Sequence, residues 1–278
     1  MFKVSFKLAL RWLGVGLLIY VAAALIMAFF EDSLIYFPSR HPDGQWSPNG
    51  LAFEDAEFTA ADGTRIHGWY VPAPAPRAVA LFSHGNGGNL SHRADFVRLL
   101  RDRLRISTLI YDYRGYGRSE GTPNEAGLLQ DARAARAWLA RRAAIAEQEI
   151  ILFGESLGGA VSVDLAVDGA RGLVLQNTFS SLPDVAAYHY SWLPVRLLLR
   201  TQFDSIRKIS DFHGRLLQFH GDRDEIVPLP LAQRLFAAAN EPKRFVLVEG
   251  GNHNDPPPGS FVAEMERFID HALAEGAN

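Results

Sequence analysis

An α/β fold is what this sequence predicts: a mostly parallel, eight-stranded sheet with helices on both faces. Three observations carry the expectation. Short apolar runs alternate with helical stretches from about residue 50 onward, the pattern of βαβ units. One Gly-x-Ser-x-Gly segment follows an apolar run directly and opens onto small helical residues, which is a strand-to-helix turn written in sequence. A chain of 278 residues, 48% of them hydrophobic, can bury one large core and leaves nothing over for a second domain.

The elements follow in order. Residues 12–30 (WLGVGLLIYVAAALIMAFF) carry no charge, and as a helix they extend ~28 Å, close to the hydrocarbon thickness of a bilayer. A secretory signal core is shorter, about 7–15 residues, and ends on small side chains. This run ends on Ile26, Met27, Ala28, Phe29 and Phe30, so residues 1–30 are expected to form an uncleaved transmembrane anchor. Lys3, Lys7 and Arg11 precede the span while Glu31 and Asp32 follow it. The positive-inside bias then leaves the N-terminus cytoplasmic and the remainder outside, in the periplasm if the source is bacterial. A connector, residues 31–50, leads to the domain expected at residues 51–278.

Strands are expected at 53–59 and 65–71, an antiparallel start joined by the Asp62-Gly63 turn, then at 78–83, 106–111, 150–153, 173–176, 216–219 and 245–248. A helix falls near 91–103. Another starts at Thr122-Pro123-Asn124-Glu125, with Thr as cap, Pro at the first helical position and Glu three residues after the cap, and runs to about Ala144. One interval breaks the rhythm. Residues 182–214 are too many for a simple crossover and include Tyr188, Tyr190, Trp192, Pro194 and Phe203, which reads as a small lid; a plain crossover helix with an aromatic core face is the alternative.

Charge and composition exclude several classes. The formal net charge is −3, but residues 1–30 hold three basic side chains and no acid, leaving 25 basic against 31 acidic, net −6, in the body. A body of that sign is a poor binder of phosphate backbones, so nucleic acid is not an expected partner. With no cysteine, disulfides, thiolate metal sites and a thiol nucleophile are all excluded.

Two segments match Gly-x-Ser-x-Gly, around Ser119 and around Ser156. The chemistry needs a sharp turn that lifts a hydroxyl above the sheet, with glycines where side chains would strike neighbouring backbone. Ser156 follows the apolar run 150–153 and precedes Gly158, Gly159 and Ala160; Ser119 sits in a loop beyond its strand. Ser156 is therefore the candidate nucleophile. A serine hydroxyl needs a base, and the base a carboxylate to hold its tautomer. Of nine histidines, His253 lies in GGNHND just after the last apolar strand, where a glycine loop can carry an imidazole back over the sheet edge. His84 and His220 read as turn supports. Asp224 and Asp222 both follow strand 216–219, at the end where open parallel sheets keep functional groups; Asp224 is preferred as the acid and Asp222 as a turn former. The backbone N–H groups of Leu157 and Asn86 are the expected oxyanion donors. The loop of Asn86 is glycine-rich but lacks the Walker lysine and the G-x-G-x-x-G spacing, which argues against a nucleotide site. No metal and no cofactor are expected.

The set HGNGGN, YDYRGYGRSEG, FGESLGGA, HGDRDEIVP and GGNHND resembles the α/β-hydrolase superfamily over about residues 50–275. It is similar in particular to a membrane-anchored single-domain branch that includes the bud-emergence-type proteins and animal protein depalmitoylases. The resemblance implies Ser156, Asp224 and His253 as triad, with Asn86 and Leu157 as oxyanion donors. It departs at the N-terminus, where the depalmitoylases carry a cysteine-rich lipidated segment and this chain a spanning helix. The expected function is hydrolysis of carboxylic esters or thioesters of acyl or lysolipid type through an acyl-enzyme, with membrane attachment through the N-terminal helix. The alternatives are a serine peptidase of the same fold, although no propeller fits in this length, and a membrane-tethered binding protein without turnover. A haloalkane dehalogenase would need Asp where Ser156 stands. The topology predicts that an alkaline phosphatase reporter fused after Asn278 is active outside the cytoplasm; a reporter that reads cytoplasmic contradicts it.

Overall fold

The computed structural model describes residues 6–275. Lys3, one of the basic residues before the span, lies outside the described residues. Helix α1 (Phe6–Phe29) and the short α2 (Glu31–Ile35) precede an eight-stranded sheet. Its strands are β1 (Glu54–Thr59), β2 (Arg65–Val71), β3 (Ala78–Ser83), β4 (Ile106–Tyr111), β5 (Ile151–Glu155), β6 (Gly172–Gln176), β7 (Leu216–Gly221) and β8 (Lys243–Val248). Their order across the sheet is β8-β7-β6-β5-β3-β4-β2-β1. The two pairings that involve β2 are antiparallel and all the rest parallel.

Strands β4, β5 and β7 are buried along their length, with only Glu155 at the end of β5 half-buried, as expected of parallel strands between two helical layers. Side-chain alternation assigns each residue to a face. Leu81, Leu109, Leu152 and Leu173 meet α4 (Glu125–Ala143), α5 (Leu157–Ala166) and α9 (Leu229–Ala238) on one side. Phe82, Ile110, Phe153 and Val174 meet α3 (Ala94–Leu104) and α10 (Phe261–Glu275) on the other.

The structure differs from expectation at several boundaries. Helix α4 begins at Glu125, and its cap is Asn124, whose side chain accepts from Gly127 N–H at 2.9 Å. Thr122 and Pro123 lie ahead of the helix, because the side chain that satisfies a first-turn N–H is that of Asn124. Glu125 then turns outward and accepts from the N–H groups of Gln202 (2.7 Å) and Phe203 (2.8 Å). Between β6 and β7 the chain forms α6 (Leu182–His189), α7 (Val195–Leu198) and α8 (Ser205–Lys208) in place of one crossover helix. Its aromatic residues divide: Tyr188, Tyr190 and Trp192 are exposed, whereas Phe203 belongs to the main core.

The YDYRGYGRSEG segment has a structural task. Arg114 donates to Asp131 of α4 through its backbone N–H (2.8 Å) and its guanidinium (2.8 Å), and to Asp62 of the β1–β2 turn (2.7 Å). Asp131 is fully buried, and burial raises its pKa while the Arg114 bonds pull it down. Removing the guanidinium with Arg114→Met leaves the buried carboxylate without its cation, with only the backbone N–H of residue 114 still donating to it, which costs about 3–5 kcal/mol. Without that cation the folded-state pKa of Asp131 rises further above its unfolded value of about 3.9, so the loss grows as pH rises through the folded pKa. Thermal unfolding of the full chain in detergent should show a larger deficit for Arg114→Met at pH 8 than at pH 5; an equal or reversed deficit contradicts this account.

Candidate active site

Ser156 stands between β5 and α5 with φ +51° and ψ −116°, a conformation that costs a non-glycine residue of order 1–3 kcal/mol. Two glycines make the turn possible. A Cβ on Gly154 would lie 2.3 Å from the Gly158 carbonyl oxygen, and one on Gly158 would lie 2.0 Å from that of Ser83. Three hydrogen bonds hold the turn: Ser156 N–H to Gln176 O (2.8 Å), and Ser156 O accepting from Gly159 N–H (2.9 Å) and the Thr178 hydroxyl (2.8 Å).

His253 reaches this serine from the loop after β8. Its Nε2 lies 3.0 Å from Ser156 Oγ and its Nδ1 2.7 Å from Asp224 Oδ2. The carboxylate can only accept, so Nδ1 carries the proton and Nε2 is left as acceptor for the serine hydroxyl. Asp224 itself is immobilised by the N–H groups of Ile226 (2.9 Å) and Val227 (2.7 Å) on its other oxygen. Asp222, expected as a turn former, accepts from Gly250 N–H at 2.7 Å and so ties the β7 and β8 loops together.

Asn86 and Leu157 line the same cleft as Ser156. Leu157 is the first residue of α5, so its N–H has no intrahelical acceptor. Neither N–H donates a hydrogen bond among the described residues. The loop is fixed just beyond the Asn86 N–H, where the Asn86 carbonyl accepts from Phe37 N–H (3.1 Å) and the Tyr116 hydroxyl (2.7 Å). The remaining candidates lie elsewhere. Ser119 is buried, donating to Asp112 O (2.7 Å) and accepting from His67 N–H (2.9 Å). His84 bonds the Gly85 carbonyl. His220 donates through Nε2 to Val227 O at 2.8 Å, beneath the Asp224 loop. Burial pushes the His220 pKa below its usual value, outweighing the Val227 carbonyl and the Asp224 carboxylate, so it sits there as a neutral prop.

Three supports were not anticipated from the sequence. Asn177 donates to the His253 carbonyl (2.8 Å) and accepts from Gly221 N–H (3.3 Å), pinning the histidine loop to the end of β7. Arg93 joins Glu155, the residue before the nucleophile, to Gly87 O in the Asn86 loop at 3.0 and 2.9 Å. The connector is the third: Phe37 and Pro38 pair in parallel with Gly87 and Gly88, and the Asn86 side chain donates to Ile35 O at 2.8 Å. Asn177 and the connector had no local signal. The Arg93–Glu155 pair was open to notice, since Glu155 is a charge inside the turn motif.

A cleft of about 320 Å³ opens above Ser156, walled by α6, α7, Ile226 and Val227, and by Met27, Ala28, Leu34 and Phe37 from the N-terminal segment. Its lining is apolar apart from Ser156, Asn86, Glu31, His189 and Tyr190.

The family described as Serine aminopeptidase, S33, matches residues 74–196. An α/β hydrolase domain-containing protein of Arabidopsis thaliana, WAV2, is 32% identical over 269 residues, 87% of this chain and 87% of its own. The protein bem46 of Schizosaccharomyces pombe is 29% identical over 264 residues, 88% of each chain. Among solved structures, the Pyrococcus furiosus esterase Pf2001 superposes with a TM-score of 0.69 at 17% identity, over 86% of this chain and 98% of that one. At that identity the likeness is one of fold. The near-full-length identity to the Arabidopsis protein, on this sheet order and this turn, means that the chain belongs to the α/β-hydrolase superfamily.

Proposed function

We propose that the protein is a membrane-anchored serine hydrolase that cleaves carboxylic esters or thioesters of acyl type through an acyl-enzyme. One observation carries the reading: the unbroken chain from Asp224 through His253 to Ser156 at 2.7 and 3.0 Å, ending on the strained turn. Ser156 Oγ attacks the acyl carbon while His253 Nε2 takes its proton. The charge that builds on the carbonyl oxygen is held by the N–H groups of Leu157 and Asn86, donors of a kind worth about 3–4 kcal/mol each. The bond from the acyl carbon to the leaving oxygen or sulfur breaks, and the leaving group departs with the proton from His253. Water then repeats the sequence, releasing the acid and restoring Ser156. Asp224 keeps Nδ1 protonated and steadies the imidazolium at both stages.

The anchor is α1. Residues Leu8–Phe29 have a mean hydropathy of 2.3 and lie almost wholly outside the protein core. Lys7 and Arg11 precede most of that run and Glu31 and Asp32 follow it, which favours a cytoplasmic N-terminus and a catalytic domain on the far side. The segment from α6 to α8 serves as the lid.

The aminopeptidase description of the matched family raises the peptidase reading. An aminopeptidase must hold a substrate ammonium with a free carboxylate, and the cleft has one carboxylate, Glu31. That group is committed to the N–H groups of Arg200 (3.1 Å) and Thr201 (2.6 Å) and to the Arg200 guanidinium (3.2 Å). The purified full chain in detergent is expected to hydrolyse p-nitrophenyl esters faster than aminoacyl p-nitroanilides. Ser156→Ala should lower kcat about 10⁶-fold and Asp224→Asn about 10⁴-fold. Ester hydrolysis that survives Ser156→Ala overturns the assignment.

A further inference from the structure

Helix α1 has one covered stripe. Between Leu8 and Glu31 the positions that are not exposed are Tyr20, Ala23, Ala24, Met27, Ala28 and Glu31, spaced as one face of a helix. The lid covers them. Ala24 packs with Leu193 and Val195, joined by Tyr20, Met27, Leu198 and Leu199. The Tyr20 hydroxyl donates to Trp192 O at 3.0 Å, and Arg200 bridges Glu31 and the Ala28 carbonyl.

The depth of these contacts decides what surrounds them. The part of α1 that the lid leaves bare, residues 8–19, extends ~18 Å, well short of a hydrocarbon layer of about 30 Å. Only the whole of Leu8–Phe29, ~33 Å, is long enough to cross. A bilayer crossed by α1 therefore has to include the half of the helix against which the lid is packed. The outer surface of the lid suits that position: Tyr190, Trp192 and Leu197 are exposed, Leu197 at 88%. Aromatic residues of this kind favour the membrane boundary. The nearby cations are neutralised, Arg196 by Asp184 at 2.8 Å and Arg200 by Glu31 at 3.2 Å.

The cleft above Ser156 runs to this same place, since Met27 and Ala28 of α1 and Leu193, Leu198 and Leu199 of the lid form its walls. We propose that the lid lies in the outer leaflet beside α1, and that the substrate is a membrane-resident acyl ester or thioester. Its chain enters the cleft laterally between α1 and residues 193–199 and brings its carbonyl to Ser156. The anchor is thus one wall of the acyl site as well as a tether. This inference rests on the hydrolase reading for its chemistry and on α1 and the lid for its route.

The test uses the full chain in vesicles of dialkyl-ether phosphatidylcholine, a matrix with no ester to cleave. The readout is the ratio of kcat/KM for p-nitrophenyl palmitate to that for p-nitrophenyl butyrate. Ala28→Trp, which fills the wall, should lower the ratio by about tenfold or more, whereas Leu25→Trp, at the same depth on the exposed face, should leave it within about twofold. A ratio unmoved by Ala28→Trp, or lowered equally by Leu25→Trp, overturns the proposal. A second measurement needs no turnover. Palmitate carrying a terminal diazirine, irradiated in the same vesicles, should label the peptide containing residues 193–199, and Ala28→Trp should suppress that label; labelling confined to the bare face of α1 overturns the proposal. Labelling of the cleft by a protein that hydrolyses neither ester would instead remove the hydrolase reading and leave the lipid site standing.

Discussion

The rest of the structure depends on the turn at Ser156. A serine held at φ +51° is strained, and the strain is tolerated because its carbonyl has two donors, its N–H has an acceptor on the neighbouring strand, and the flanking glycines yield the space. That turn fixes the hydroxyl above the carboxyl edge of the sheet. The parallel order β7-β6-β5-β3 then determines which loops can reach it: the Asp224 loop after β7, the His253 loop after β8 and the Asn86 loop after β3. Each loop is braced separately, by the Ile226 and Val227 amides, by Asn177 and by the connector. For the proposed acyl transfer at Ser156 such bracing matters, because small displacements of reacting groups weaken transition-state contacts sharply.

The N-terminal segment is tied to the Ser156 cleft by more than the covalent chain. Its connector forms a two-residue strand pairing with the Asn86 loop, and its buried Glu31 receives the backbone that follows α7 at Arg200 and Thr201. Helix α1, the segment from α6 to α8 and the Asn86 loop are in this way mechanically linked. A buried carboxylate satisfied by several donors favours one arrangement over others, since a shift of the lid would strand the charge.

Much of this was legible from residue order. Contiguous motifs carry local geometry, so the Ser156 turn, the Asp62-Gly63 hairpin and the central apolar strands could be read directly, and Ser156, His253 and Asp224, expected to act together, each lie within hydrogen-bond distance of the next. What was not legible depends on distant partners. Thr122-Pro123 has the pattern of a helix start, yet the side chain that reaches a first-turn N–H is that of Asn124. Phe203 looked like part of an aromatic lid, but Glu125 draws its backbone inward and its ring joins the core. Strand β8 starts two residues earlier than its apolar run, because Lys243 bonds the carbonyls that end α9 and Arg244 pairs with Glu264, so both charges are accommodated at a sheet edge. Asn177 offered no pattern at all; its role appears only when β6 and β7 lie side by side.

Ser156 is the serine whose hydroxyl lies within hydrogen-bond reach of His253 Nε2. Reaction of the full chain in detergent with a fluorophosphonate, followed by peptide mapping, asks whether that contact activates it. A single phosphonyl adduct on Ser156 that His253→Ala suppresses is expected. An adduct on Ser119, or an unmodified protein, would contradict it.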